Sequence, residues 1–129
     1  MAQRVTTHDG NGIAVFDKDA SIDQLPEAEQ QDITVKYIYS TESFPLDLGS
    51  SADISSAVPL RGQMPPHGNI CPPGGTSVMI LSLSPGAVSP MHRTMTHDVI
   101  YMLEGEVEAE LDSGEKRILR PGDSLIQRM

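Results

Sequence analysis

Three features of the sequence predict an all-β fold class. Ten Pro and eleven Gly in 129 residues break the chain too often for long helices. Two segments, 33–39 and 106–111, alternate apolar and polar residues with the period of a strand. In the second half, Gly-bearing turns separate short apolar runs at intervals of roughly eight to twelve residues, the rhythm of an antiparallel sandwich or barrel. The length suits one small domain. Trp is absent and aromatics make up 4% of residues, so burial falls to Val, Ile, Leu and Met. The core is correspondingly thin.

Each element follows from its local chemistry. The run 12–16 (Gly-Ile-Ala-Val-Phe) reads as one short strand. Residues 21–32 read as a short helical turn or an acidic loop, with Pro26 near the start. In 33–39, Ile33, Val35, Tyr37 and Tyr39 alternate with Thr34, Lys36 and Ile38, which predicts a strand. Residues 40–77 carry Pro65-Pro66, Pro72-Pro73 and Gly74-Gly75 and read as an extended loop, of a length that usually covers a site or pads a barrel. The apolar run 78–83 predicts a buried strand, closed by the turn Pro85-Gly86. A second apolar strand is expected at 98–103. Residues 106–111 give the cleanest pattern, with Val107, Ala109 and Leu111 inward and three glutamates toward water. Asp112-Ser-Gly114 is a hairpin turn, and strands are expected again at 116–119 and 124–128. Gly86, Gly105, Gly114 and Gly122 stand where turns demand positive φ.

Charge excludes several function classes. The net charge of −9 repels phosphate backbones, so no nucleic acid is expected as a partner. No Lys/Arg cluster is present to hold an anionic membrane, and no apolar run approaches the roughly 18 residues of a span. The first residues lack the apolar stretch of a secretory signal. The single Cys71 cannot form an intrachain disulfide and has no basic neighbour in sequence to activate it. A cytoplasmic protein is expected.

Gly86 is followed by five residues and His92, then Thr94, then three residues and Asp98, then six residues and Gly105; Pro121-Gly122-Asp123 follows later. This spacing resembles the first and second motifs of the cupin superfamily. The resemblance covers residues 76–129. It implies a cupin-like jelly-roll barrel over 76–129, preceded by an irregular acidic N-terminal extension over 1–75 with one or two strands. It also resembles, through Pro90-Met-His-Arg-Thr94 and an upstream Ser43-Phe44-Pro45, the single-domain cupins of fungal polyketide gene clusters, some of them described as oxidoreductases. Members of that group continue further, so the resemblance implies a C-terminally short chain and an incomplete barrel.

In the cupin motif, His-x-His sets two imidazoles on one face of a strand, and a carboxylate and a third imidazole join them. Such an N/O set takes Fe, Mn, Ni, Cu or Zn, with positions open to substrate. The resemblance implies His92 and Asp98 as metal ligands and catalytic residues. Thr94 puts a hydroxyl, a poor ligand, where the second imidazole belongs. His97 is a further candidate, but regular alternation turns it away from 92, 94 and 98 unless a bulge intervenes. Arg93 is expected to pair with Glu104 or Asp98, and His8 and His67 to lie at the surface. The implied function is oxidation of a small aromatic or polyketide intermediate in secondary metabolism. The alternatives are a metal-independent isomerase, cyclase or dehydratase using His92 as acid/base, a non-catalytic binding module, and an inactive truncated product. The partners expected are a small-molecule substrate and a second copy of the chain, since an unpaired sheet edge invites a homodimer.

Overall fold

The computed structural model describes residues 1–64 and 70–128; His67 lies outside the described residues. The strand prediction holds. Among the described residues nine strands pair antiparallel throughout, against one six-residue helix and one 3-10 turn. The chain divides into two compact units, Met1–Ala87 and Val88–Met129.

The first unit starts with a hairpin of β1 (Thr6–His8) and β2 (Ala14–Phe16). Its turn is tied by Asp9, whose Oδ1 accepts from the backbone N–H of Asn11 and Ile13 at 2.8 and 3.0 Å. These two donors, Ile13 first, hold the Asp9 carboxyl below its ordinary range. His8 ends β1 and is exposed, as expected. The next sheet runs β3 (Ala28–Gln30), β4 (Ile33–Thr41), β5 (Thr76–Leu83). Where a helical turn or loop is expected, β3 forms instead. Gln31 adopts φ 51° and closes a two-residue turn that lays β3 back on β4. The N-terminal segment thus holds four strands rather than one or two.

The alternation in β4 stops short of where the sequence places it. Tyr37 pairs with Met79 and Tyr39 with Val78, so Ile38 is an extra residue, a β-bulge. Before it, Val35 and Tyr37 are buried; after it, Ser40 and Thr41 are. The Ile38 carbonyl accepts a hydrogen bond from Gln3 Nε2, which ties the N-terminal segment to the bulge. Ser40 and Thr41 are satisfied across the ladder: Ser40 Oγ meets the Thr76 carbonyl and Ser77 Oγ, and Thr41 Oγ1 meets Thr76 Oγ1 at 2.9 Å. Bulges leave no periodic trace in sequence.

The segment 40–77, read as loop, contains α1 (Ala52–Ala57) and a 3-10 turn at Val58–Leu60. Tyr39 anchors α1 by donating its hydroxyl proton to Asp53 Oδ2 at 2.7 Å. Burial, then the hydrogen bond and charge of Asp53, push the Tyr39 hydroxyl up to about 12. Among the described residues the buried apolar side chains are Ala20, Leu25, Val35, Tyr37 and Ala57, all in this unit. The core therefore sits under the segment expected to be irregular. Conversely, Val78, Leu81 and Leu83 of β5 are exposed, against the prediction of a buried strand. An apolar run shows what a strand is able to bury; neighbours decide whether it does, and β5 has a strand partner on one edge only.

The second unit is one long hairpin folded across its middle. β6 (Asp98–Tyr101) pairs with β9 (Ser124–Gln127), and nested inside them β7 (Val107–Glu110) pairs with β8 (Lys116–Leu119). The two ladders stay within one residue of a common register. The backbones of Met102, Gly122 and Asp123 bridge them. Both arms bend where a glycine takes a left-handed conformation, at Gly105 (φ 75°) and Gly122 (φ 95°), angles that side chains resist. Gly86 and Gly114 also have positive φ, as the turn chemistry predicts. A long hairpin bent in this way is the building principle of a jelly roll. Among the described residues the sheets stay open and no closed barrel forms. Val107 and Ala109 are more covered than the glutamates between them, as predicted, whereas Leu111, one residue past the end of β7, is exposed.

Candidate functional site

The approach to β6 carries the motif residues. From 94 to 99 exposure alternates: Thr94, Thr96 and Asp98 are half-buried, and Met95, His97 and Val99 are exposed. The strand period thus persists through the bend at 95–96. Asp98 stands opposite Gln127, and Ile100 opposite Leu125; residues directly opposite in an antiparallel pair share a face. Thr94 and Asp98 therefore lie on the half-buried side, together with Thr96, which the motif does not mark.

His92 is exposed, as are Met91 and Arg93. Its Nδ1 lies 2.7 Å from the Pro90 carbonyl. A carbonyl only accepts, so Nδ1 carries the proton and Nε2 keeps its lone pair. The group that orients the imidazole is thus Pro90, two residues upstream, and the free nitrogen is a base or a ligand. Arg93 pairs with Asp112 Oδ2 at 3.0 Å rather than with Glu104 or Asp98. His97 lies on the exposed side, as alternation predicts, and lines an open hollow of about 660 Å³ with Met95, Thr96 and Arg128. Two hydroxyls here, Thr94 Oγ1 and Thr96 Oγ1, are buried without a hydrogen-bond partner among the described residues. Leaving a hydroxyl so costs about 1–3 kcal/mol.

The three glutamates of the outer face do not form a cation site. Lys116 Nζ lies 2.8 Å from Glu108 and 3.0 Å from Glu110, and Arg120 Nε lies 3.0 Å from Glu106. Glu108 and then Glu110 hold the Lys116 ammonium above its ordinary range. Cys71 Sγ reaches the Pro72 and Gly75 carbonyls at 3.7 and 3.5 Å, contacts of a packed thiol.

The donor set does not fit the metal centre that the motif implies. Among the described residues no group of three or more His, Cys, Asp or Glu side chains is gathered closely enough to hold a metal. His92 and Asp98 supply one nitrogen and one carboxylate, and Thr94 contributes only a hydroxyl. Arg128 went unmarked in the sequence because placing it needs the β6–β9 register, which no local pattern carries, whereas regular alternation already sets Thr96 on the side of 94 and 98.

With this geometry in place, the comparisons agree with it. Residues 79–127 match the family model described as "Cupin domain". "Oryzines biosynthesis cluster protein J" of Aspergillus oryzae is 33% identical over 96% of this chain and 68% of its own length. The chain belongs to the cupin family. It is also similar to "Phomopsin biosynthesis cluster protein C'" of Diaporthe leptostromiformis, 34% identical over 96% of this chain and 64% of that protein. A third relative, "Cupin-domain-containing oxidoreductase srdB" of Neurospora crassa, is 39% identical over 96% of this chain and 60% of its own. The chain thus spans about two thirds or less of the length of most relatives it matches.

Proposed function

We propose that this chain is the cupin portion of an oxidoreductase that acts on a small aromatic or polyketide-derived intermediate in a fungal biosynthetic pathway. One observation carries the reading: four relatives, from 30% to 42% identical, are named cupin-domain-containing oxidoreductases. The residues with chemical capacity are His92, through its free Nε2, and Asp98, a carboxylate on the half-buried side of β6. His92 takes or gives a proton at Nε2 while Pro90 keeps its tautomer fixed. Asp98, with the Thr94 hydroxyl on the same side, orients a polar group of the substrate.

A metal-independent isomerase, cyclase or dehydratase is the second reading. The donor set favours it, because an imidazole with one fixed tautomer and no third ligand among the described residues suits proton transfer better than metal binding. Mass spectrometry of products separates the two. Offered a panel of aromatic polyketide aldehydes and alcohols, an oxidoreductase changes the substrate by two hydrogens or an oxygen. An isomerase or cyclase leaves its mass unchanged, and a dehydratase removes water. Elemental analysis of untagged protein gives the second axis. Metal near stoichiometry that disappears in His92→Ala supports the first reading; turnover without metal, lost in the same variant, supports the second. Wild-type turnover retained in His92→Ala overturns both, and with them the assignment of His92.

A further inference from the structure

Five of the six arginines are tied to the chain. Arg4 pairs with Asp23, Arg93 with Asp112, Arg117 with Glu115 and Arg120 with Glu106, while Arg61 donates to the Ala20 carbonyl. Arg128 has no such partner among the described residues, in a chain of net charge −9 where carboxylates are plentiful. It follows β9 directly. Extending the Asp98–Gln127 register by one residue sets Arg128 opposite His97. Both line the hollow, with Met95 and Thr96. Thr96 Oγ1 is buried without a hydrogen-bond partner among the described residues. The hollow thus gathers a guanidinium, an imidazole and a threonine, with no acidic side chain in its lining among the described residues. Met95, 87% exposed, is the one apolar group beside them among the described residues.

We propose that Thr96, His97 and Arg128 form a subsite for the carboxylate of a small apolar acid. The guanidinium fork matches the two carboxylate oxygens, and such charge-assisted bonds are about twice as strong as neutral ones. The imidazole N–H is a further donor, and the partnerless Thr96 hydroxyl becomes one by rotating about χ1 on binding. Met95 supplies a soft surface for the apolar body of the ligand. His97 and Arg128 of this subsite are exposed, whereas Thr96 comes from the half-buried side that Asp98 shares; the subsite goes beyond the functional reading above. It concerns binding and stands whether or not the chain turns over a substrate.

Calorimetric titration of the full chain with benzoate, and with benzyl alcohol as the uncharged counterpart, tests it. Benzoate is expected to bind saturably and about tenfold or more tightly than benzyl alcohol. Arg128→Gln is expected to lower benzoate affinity by about tenfold or more, and Thr96→Val and His97→Gln by a smaller factor of about three to ten. Arg117→Gln removes the same charge elsewhere and is expected to leave the affinity unchanged. Circular dichroism of each variant confirms that the strands persist. Equal binding of benzoate and benzyl alcohol, no saturable binding of benzoate, or an Arg128→Gln variant that binds it as the wild type does overturns the subsite. An equal loss in Arg117→Gln and Arg128→Gln also overturns it, since net charge alone then explains the effect.

Discussion

Tyr39 and Gln31 each carry a strain or shift with a measurable consequence. The Tyr39 hydroxyl is raised from its ordinary value near 10 to about 12. The folded state thus favours the protonated phenol more than the unfolded state does. The stabilisation is fully present below about pH 10 and is lost as pH rises through about 12. Alkaline titration of tyrosinate absorbance should show this ring ionising late, and Tyr39→Phe should flatten the fall in stability over the same pH window. Burial, and to a lesser degree the charge of Cys71, also raises the Tyr37 hydroxyl, so a late phase that survives Tyr39→Phe belongs to Tyr37. Gln31 sits at φ 51°, a region costing an ordinary side chain about 1–2 kcal/mol. Gln31→Gly is expected to recover part of that, about 0.5–1 kcal/mol in a urea melt. A loss of stability would show that the Gln31 side chain contributes more than its backbone costs.

Among the elements, the β4–β5 ladder has one position where the backbones nearly touch. A Cβ at Gly75 would stand 1.8 Å from the Thr41 carbonyl oxygen, so something in the backbone must shift. Gly75→Ala should destabilise the first unit by about 1–3 kcal/mol. Gly10→Ala, with open space around its Cβ, should be close to neutral. Unchanged thermal midpoints in both variants would mean that the approach is looser than described. The legibility of the sequence varied in the same element-specific way. Turn chemistry and the alternation at 106–110 were plain, because glycine φ and strand period are local properties. The Ile38 bulge, the α1 turn anchored by Tyr39 and the partnership of His97 with Arg128 were not, because each depends on a contact distant in sequence. The motif spacing singled out His92, Thr94 and Asp98 as candidates. It did not show that Pro90 orients His92.

At the scale of the whole molecule, apolar surface and charge point in opposite directions. Val99, Tyr101 and Ile126 stand on one side of the β6–β9 pair, and each is more than half exposed. Apolar groups gathered in this way favour association, while a net charge of −9 opposes it. The expectation of a homodimer therefore carries a salt dependence. Light scattering at micromolar concentration should give a mass twice that of one chain, with association strengthened by added salt as repulsion is screened. Val99→Lys combined with Ile126→Lys should return the monomer. A monomeric wild type at high salt sinks the expectation. Among the described residues no helix is long and apolar enough to cross a membrane.

The bulge at Ile38 bears on how chain length can vary in this family. The ladder on either side pairs in step without that residue, so its deletion would leave the pairing of Tyr37 with Met79 and of Tyr39 with Val78 contiguous. What a deletion removes is the outward carbonyl that Gln3 grips. Position 38 is thus where a gap in β4 is tolerated by the sheet but not by the arm that leans on it. Homologues that lack a residue here should lack the arm's anchoring glutamine as well, two remote changes that only the three-dimensional register connects.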